Sequence, residues 1–344
     1  MSGVQHITVG ADEPEQRLDR WFRRQFPHVP QGRIEKMCRK GEIRIEGGRV
    51  KPATRVLPGQ SVRIPPLPEA EAPRPAVATE TSADPALAAS LRQAVLHRDD
   101  QMLVLNKPPG LAVQGGSKLA THLVAGLAEL RFGRPDDPRL VHRLDKDTSG
   151  LLVLARTATA AHDLAALFRS RAVEKVYLAA VAGRPQPAQG TIRYGLVKAG
   201  RPGEGEKMRW LHPDEVRGTE GAKHATTDFA VLEQAAGRAA AMALRPVTGR
   251  THQLRAHMAA LGTPIAGDGK YGGRGQENLG DGWGAGLGGA VSRKLHLHAA
   301  ALVFPHPETG KQVRFTAPLP EHMARTWALF GWDPDPALED VFHA

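Results

Sequence analysis

Cysteine is almost absent: Cys38 stands alone among 344 residues. One thiol excludes an internal disulfide and a zinc cage built from cysteines. With Ile34 and Met37 at helical spacing beside it, Cys38 is expected in a core rather than as a reactive group. Nowhere does the chain hold an apolar run of about 18 residues, the length a membrane-spanning helix needs. The first thirty residues carry no apolar leader segment either, so no membrane partner and a cytoplasmic location are expected. What the chain has in excess is positive charge. Lys and Arg number 46 against 36 Asp and Glu, a formal +10. Such a surplus favours a polyanionic partner, because each phosphate neutralised releases condensed counterions. Charge alone does not choose between RNA, DNA and an anionic membrane.

A shift in composition divides the chain. Residues 67–90 are rich in Pro, Ala and Glu and poor in large apolar side chains. Such a segment buries too little surface to offset its ordering entropy, so an extended linker is expected there. Residues 1–66 before it hold thirteen Lys/Arg and seven Asp/Glu, a net +6. Leu18, Trp21 and Phe22 have helical spacing, as do Ile34, Met37 and Cys38. On the second of these helices Arg33, Lys36 and Lys40 make one face cationic, and Gly41 ends it. Ile43, Ile45, Val62 and Ile64 then alternate as strands around turns at Gly47-Gly48 and Pro58-Gly59. A small α+β module with a basic helix face suits RNA, although a solvated helix reads the same way.

Residues 91–335 carry a different pattern. Val95–His97 and Met102–Leu105 flank a polar turn, and Leu151–Ala155 has the makeup of a buried strand. A helix is expected over 157–171, a strand from Val176, hairpins at 225–246 and 296–316, and short helices near 251–261 and 320–331. Strand runs broken by helices, without βαβ alternation, imply an α+β domain on a mainly antiparallel mixed sheet. The glycine-dense stretch 272–289 reads as a surface loop.

Few residues could carry chemistry. Asp145 lies between the strand-like Leu140-Val141 and the turn Thr148-Ser149-Gly150, in a loop that rigid structure can support. Taken alone, it reads more readily as a turn-capping carboxylate. In Gly249-Arg250-Thr251-His252-Gln253-Leu254-Arg255-Ala256-His257, Thr251 can cap a helix and leave Arg250 at its mouth. Arg has the fork geometry to hold a carboxylate or a phosphate. Tyr177, one of three tyrosines, sits in a strand. His296 and His298 place two imidazoles on one strand face without an evident third ligand, so no metal is expected.

Together these segments carry a resemblance. His142-Arg143-Leu144-Asp145 with Asp147-Thr148-Ser149-Gly150, Lys175-Val176-Tyr177, the 249–255 segment, Leu297-His298-Ala299 and Asn106-Lys107-Pro108-Pro109-Gly110-Leu111 resemble, in order, the motifs of RluA-type RNA pseudouridine synthases. The likeness is greatest to the branch that modifies large-subunit ribosomal RNA. Arg17-Leu18-Asp19, Arg39-Lys40-Gly41, Ile43-Arg44-Ile45 and the 58–62 segment resemble the small RNA-binding domain named after ribosomal small-subunit protein four. The resemblance implies the pseudouridine synthase fold, a flipped-out target base, and isomerisation of uridine with no cofactor. It implies a catalytic Asp145, with Tyr177 stacking on the base and serving in proton transfer, and Arg250 paired with Asp145. Arg33, Lys36, Lys40, Arg143 and Arg255 are the expected RNA contacts. The expected partner is ribosomal RNA, bound by a monomer.

Overall fold

The computed structural model describes residues 3–11, 13–67, 84–115, 121–199, 206–272 and 290–342. Most of the expected linker and residues 273–289 of the glycine-dense stretch lie outside the described residues. The chain divides into two compact units, 1–81 and 82–344.

In the first unit, helices Leu18–Gln25 and Gln31–Lys40 bury the residues that their spacing marks. Leu18, Trp21, Phe22 and Ile34 are completely inaccessible, and Met37 and Cys38 nearly so. Burial pushes the Cys38 thiol up to about 11, so it is a core residue and inert as a nucleophile. Gly41 closes the second helix in the left-handed region, at φ +72°. The β structure is larger than a hairpin. Gln5–Thr8, which carries no run of large apolar residues, pairs with Ser61–Ile64 at the edge of a four-stranded sheet. Arg33, Lys36 and Lys40 are all exposed on the second helix.

The second unit begins earlier than the linker reading allows. Helix Pro85–Gln93 starts on Asp84, whose side chain accepts from the Ala86 amide at 3.0 Å. Leu87 and Leu91, one turn apart, bury against Leu123 and Leu127 of a 3-10 segment. The approach is close: a Cβ on Gly126 would stand 2.4 Å from Leu91 Cδ1 and would force that side chain to shift. At the other end, Trp332 and Leu338 are buried in the core, so the packed chain runs past residue 335.

The framework is a ten-stranded sheet. Its central strands are Ala239–Pro246, Glu174–Ala182, Leu297–Pro305, Ser149–Ala155 and Met102–Lys107, in that spatial order. All pairings are antiparallel except Ser149–Ala155 beside Leu297–Pro305, where Ser149 faces His298 and Gly150 faces Ala299. Gly150 permits this crossing, since its φ is +107° and a Cβ there would lie 2.3 Å from the Ala299 carbonyl oxygen. Helix Ala158–Ser170 agrees with its expected span and is capped by Thr157. A separate three-stranded sheet of Lys207–Leu211, Gly195–Ala199 and Lys223–His224 has no counterpart in the sequence reading. Its strands are two to five residues long, too short to show a period. No helix among the described residues is long and apolar enough to cross a membrane.

Candidate active site

The loop bearing Asp145 is held from both sides. Leu144 points into the core, and Thr148 and Ser149 are buried as the chain enters its strand. His142 stacks on Phe168 at 4.0 Å and accepts a hydrogen bond from the Val153 amide at 2.8 Å. Burial, helped by Lys175, lowers the His142 ring to about 3, which keeps it neutral and able to accept. Behind the loop, the fully buried Lys107 donates to the carbonyls of Pro108, Leu111 and Lys146 at 2.9–3.0 Å. Burial pushes Lys107 down to about 7 while Asp147 and Asp145 oppose that fall. Three carbonyl acceptors match the three hydrogens of an ammonium, which favours its charged form.

The strand Glu174–Ala182 presents Tyr177 to the same space, beside an irregularity in its pairing at Val176/Tyr177. Burial and the nearby Asp145 raise the pKa of its hydroxyl, so Tyr177 stays a phenol at neutral pH. Asp145, Tyr177, Arg250, Arg143 and Arg255 all line one cavity of about 300 Å³. That places every residue expected from the catalytic motifs around one space of nucleobase scale.

The pairing inside the cavity differs from expectation. Helix Gln253–Ala260 does not start on Thr251; His252 stands at its N-cap in the left-handed region, φ +50°. Gln253 closes the turn instead. Its Oε1 accepts from the Arg250 amide and the Thr248 hydroxyl, and its Nε2 donates to Thr226 and Thr227. At the cavity's lining, the Arg250 Nε donates to the His224 carbonyl at 3.3 Å. The cations near Asp145 Oδ2 are Arg255 Nη1 at 4.0 Å and, when protonated, His252 Nε2 at 3.8 Å. Among the described residues Arg250 forms no ion pair with Asp145.

Arg255 is correspondingly no surface contact. It is 4% exposed and forks onto Asp268, also buried, at 2.7 and 2.8 Å. His252 is oriented too. The Tyr271 oxygen accepts from the Met208 amide at 2.8 Å and lies 2.9 Å from His252 Nδ1. With the phenol donating to Nδ1, the neutral ring would carry its proton on Nε2, toward Asp145. Burial lowers the His252 pKa against the pull of Asp145, which favours that neutral ring. Asp268 and Tyr271 escaped the sequence reading, since Arg255, His252 and Met208 lie thirteen or more residues from them.

His296 and His298 serve other purposes. His298 bonds Ser149 and the Ala317 carbonyl, and His296 bonds the Lys294 carbonyl and Thr326. Among the described residues no group of three His, Cys, Asp or Glu is arranged to hold a metal ion.

Removing Arg255 strands two carboxylates, one of them fully desolvated. Arg255→Met should cost about 3–5 kcal/mol, the usual penalty for breaking a buried pair from one side. For a domain of this size that lowers the melting midpoint by roughly 6–20 °C. An unchanged midpoint in a thermal melt would contradict the pairing.

A carboxylate, a phenol and a guanidinium converging on a cleft over a rigid sheet mark an enzyme site. Residues 101–260 match the family model described as RNA pseudouridylate synthase. Over 324 residues the chain is 39% identical to the ribosomal large subunit pseudouridine synthase C of Salmonella typhi, covering 94% of this chain and 95% of that one. The protein of the same name from Escherichia coli strain K12 gives the same identity and coverage, 39%, 94% and 95%. The solved structure of human RNA pseudouridylate synthase domain containing 4 aligns with a TM-score of 0.58 and 30% identity, over 72% of this chain and 96% of that one. The chain belongs to the RNA pseudouridylate synthase family, isomerases that act on RNA.

Proposed function

We propose that this chain converts uridines of large-subunit ribosomal RNA to pseudouridine, with Asp145 as the acting carboxylate. The observation that carries the reading is the 300 Å³ cavity in which Asp145, Tyr177 and Arg255 meet. The reaction breaks the bond between the uracil nitrogen and the ribose and forms a carbon–carbon bond at C5. The nitrogen gains a proton and C5 loses one, so atoms balance with no redox partner or group donor. The protein must hold the detached base, stabilise charge and move protons.

The residues present suit those tasks. Arg255 and the His252 ring confront Asp145, whose carboxylate can add to the substrate or take a proton. Tyr177 offers a flat ring against the base and, as a phenol, a proton to give. The target base must leave its stack to reach this depth. Arg143, exposed at the cavity's lining, is placed to meet the phosphates, and the first unit's Arg33, Lys36 and Lys40 form a second cationic surface.

Purified protein with a large-subunit ribosomal RNA transcript, tritiated at C5 of uridine, tests the proposal. Tritium should be released with no cofactor added, and the product should have the mass of uridine. Release from transfer RNA but from no large-subunit transcript would assign the enzyme another substrate.

A further inference from the structure

The three-stranded sheet of Lys207–Leu211, Gly195–Ala199 and Lys223–His224 bears an aromatic side chain that the core does not use. Trp210 is 44% exposed, whereas Trp21, Trp327 and Trp332 are buried. One face of its ring rests on Tyr194, centroids 5.3 Å apart and planes 30° from parallel. Tyr194 is itself wedged edge-on against His257 of the helix Gln253–Ala260. The indole is thus backed on one side by an anchored ring.

Lys223 and Lys198 share the ring's face of the sheet, Lys198 paired with Glu206 at 3.7 Å, while Lys207 and Arg209 alternate to the other face. Among the described residues Arg209 and Lys223 form no ion pair. Cations interleaved with a presented aromatic ring are what single-stranded nucleic acid requires: charge tracks the backbone while a base stacks. Register places the ring near the catalytic cavity. Trp210 faces Leu196, which faces Lys223. That is two strand spacings, about 10 Å. The next residue, His224, holds Arg250 of the cavity lining through its carbonyl.

We infer that Trp210, backed by Tyr194, is a stacking platform for an unpaired base of the substrate RNA flanking the target uridine. This rests on the function proposed above. Base stacking is tolerant of sequence, so the platform selects for an unpaired nucleotide beside the target rather than for its identity. It acts without charge, which separates it from the basic surfaces.

The test uses the full chain, Trp210→Leu and Trp210→Phe, with two labelled RNAs of equal length: a hairpin whose target lies in an open loop, and a fully paired duplex. Trp210→Leu should bind the hairpin about five- to a hundredfold more weakly. The salt dependence of that binding should not change, because no phosphate contact is lost. Trp210→Phe should retain most of the affinity, and duplex binding should be the same for all three proteins. Wild-type hairpin affinity in Trp210→Leu, or an equal loss on both RNAs, would overturn the platform. Wild-type turnover of the same hairpin tests the parent function separately.

Discussion

Asp145→Asn should abolish pseudouridine formation while the protein still binds its RNA. The change removes one charge and almost no volume, from a side chain whose loop is fixed by other residues: Leu144 in the core, His142 on Phe168, and Lys107 on the Lys146 carbonyl. An amide can neither add to the sugar or base nor take up a proton as a carboxylate does. The loss in kcat should reach about ten-thousandfold or more, the scale seen when a group that reacts is removed. Affinity should hold, since deleting a negative charge beside a polyanion cannot weaken the attraction. Tritium release and filter binding on one transcript give both readouts. Turnover within tenfold of wild type would remove Asp145 from the chemistry.

Acid should unfold the second unit well before the first. His257, His296 and His298 are completely inaccessible, and burial lowers each ring to about 4. The unfolded chain titrates them near 6.5. Between those values the unfolded state binds more protons than the folded one, so stability falls as pH falls. Each ring contributes at most about 1.4 kcal/mol per pH unit, and three together roughly 4. Between pH 6.5 and 5 that comes to about 5 kcal/mol, since the unfolded rings are only half protonated at the upper limit, and this is comparable with the whole stability of a domain. The first unit's His6 and His28 are exposed, and it buries no histidine. Urea unfolding at pH 7, 6 and 5 should show one transition moving strongly and the other little. Identical midpoints at pH 7 and pH 5 would contradict the neutral, buried state of these rings.

Much of this architecture was legible wherever residues choose their structure locally. Thr157 marks its helix start, the apolar run of 151–155 its strand, and Gly41 its helix end. The fold class follows from those pieces and agrees with the human relative. Helix Pro85–Gln93 announced itself through Asp-Pro at its start and leucines one turn apart, but the surrounding Pro and Ala disguised it. The site is legible in its residue types and not in its pairings. Whether Arg250 or Arg255 faces Asp145 depends on which side chain closes the turn at 248–253, and that is Gln253, braced by Thr226 and Thr227 from a distant strand. Burial of Arg255 likewise depends on Asp268, thirteen residues on. No local period encodes either.

The parallel crossing of Ser149–Gly150 with His298–Ala299 bears on how the enzyme comes into being. Ser149 Oγ and His298 Nδ1 meet across 149 positions of sequence. A ribosome adding 5–20 residues per second needs about 7–30 s to make that stretch. Throughout that interval the Asp145 loop has been made but the strand beside its base does not exist. The nascent chain therefore exposes its first basic unit early and completes its catalytic pocket only near the end of synthesis.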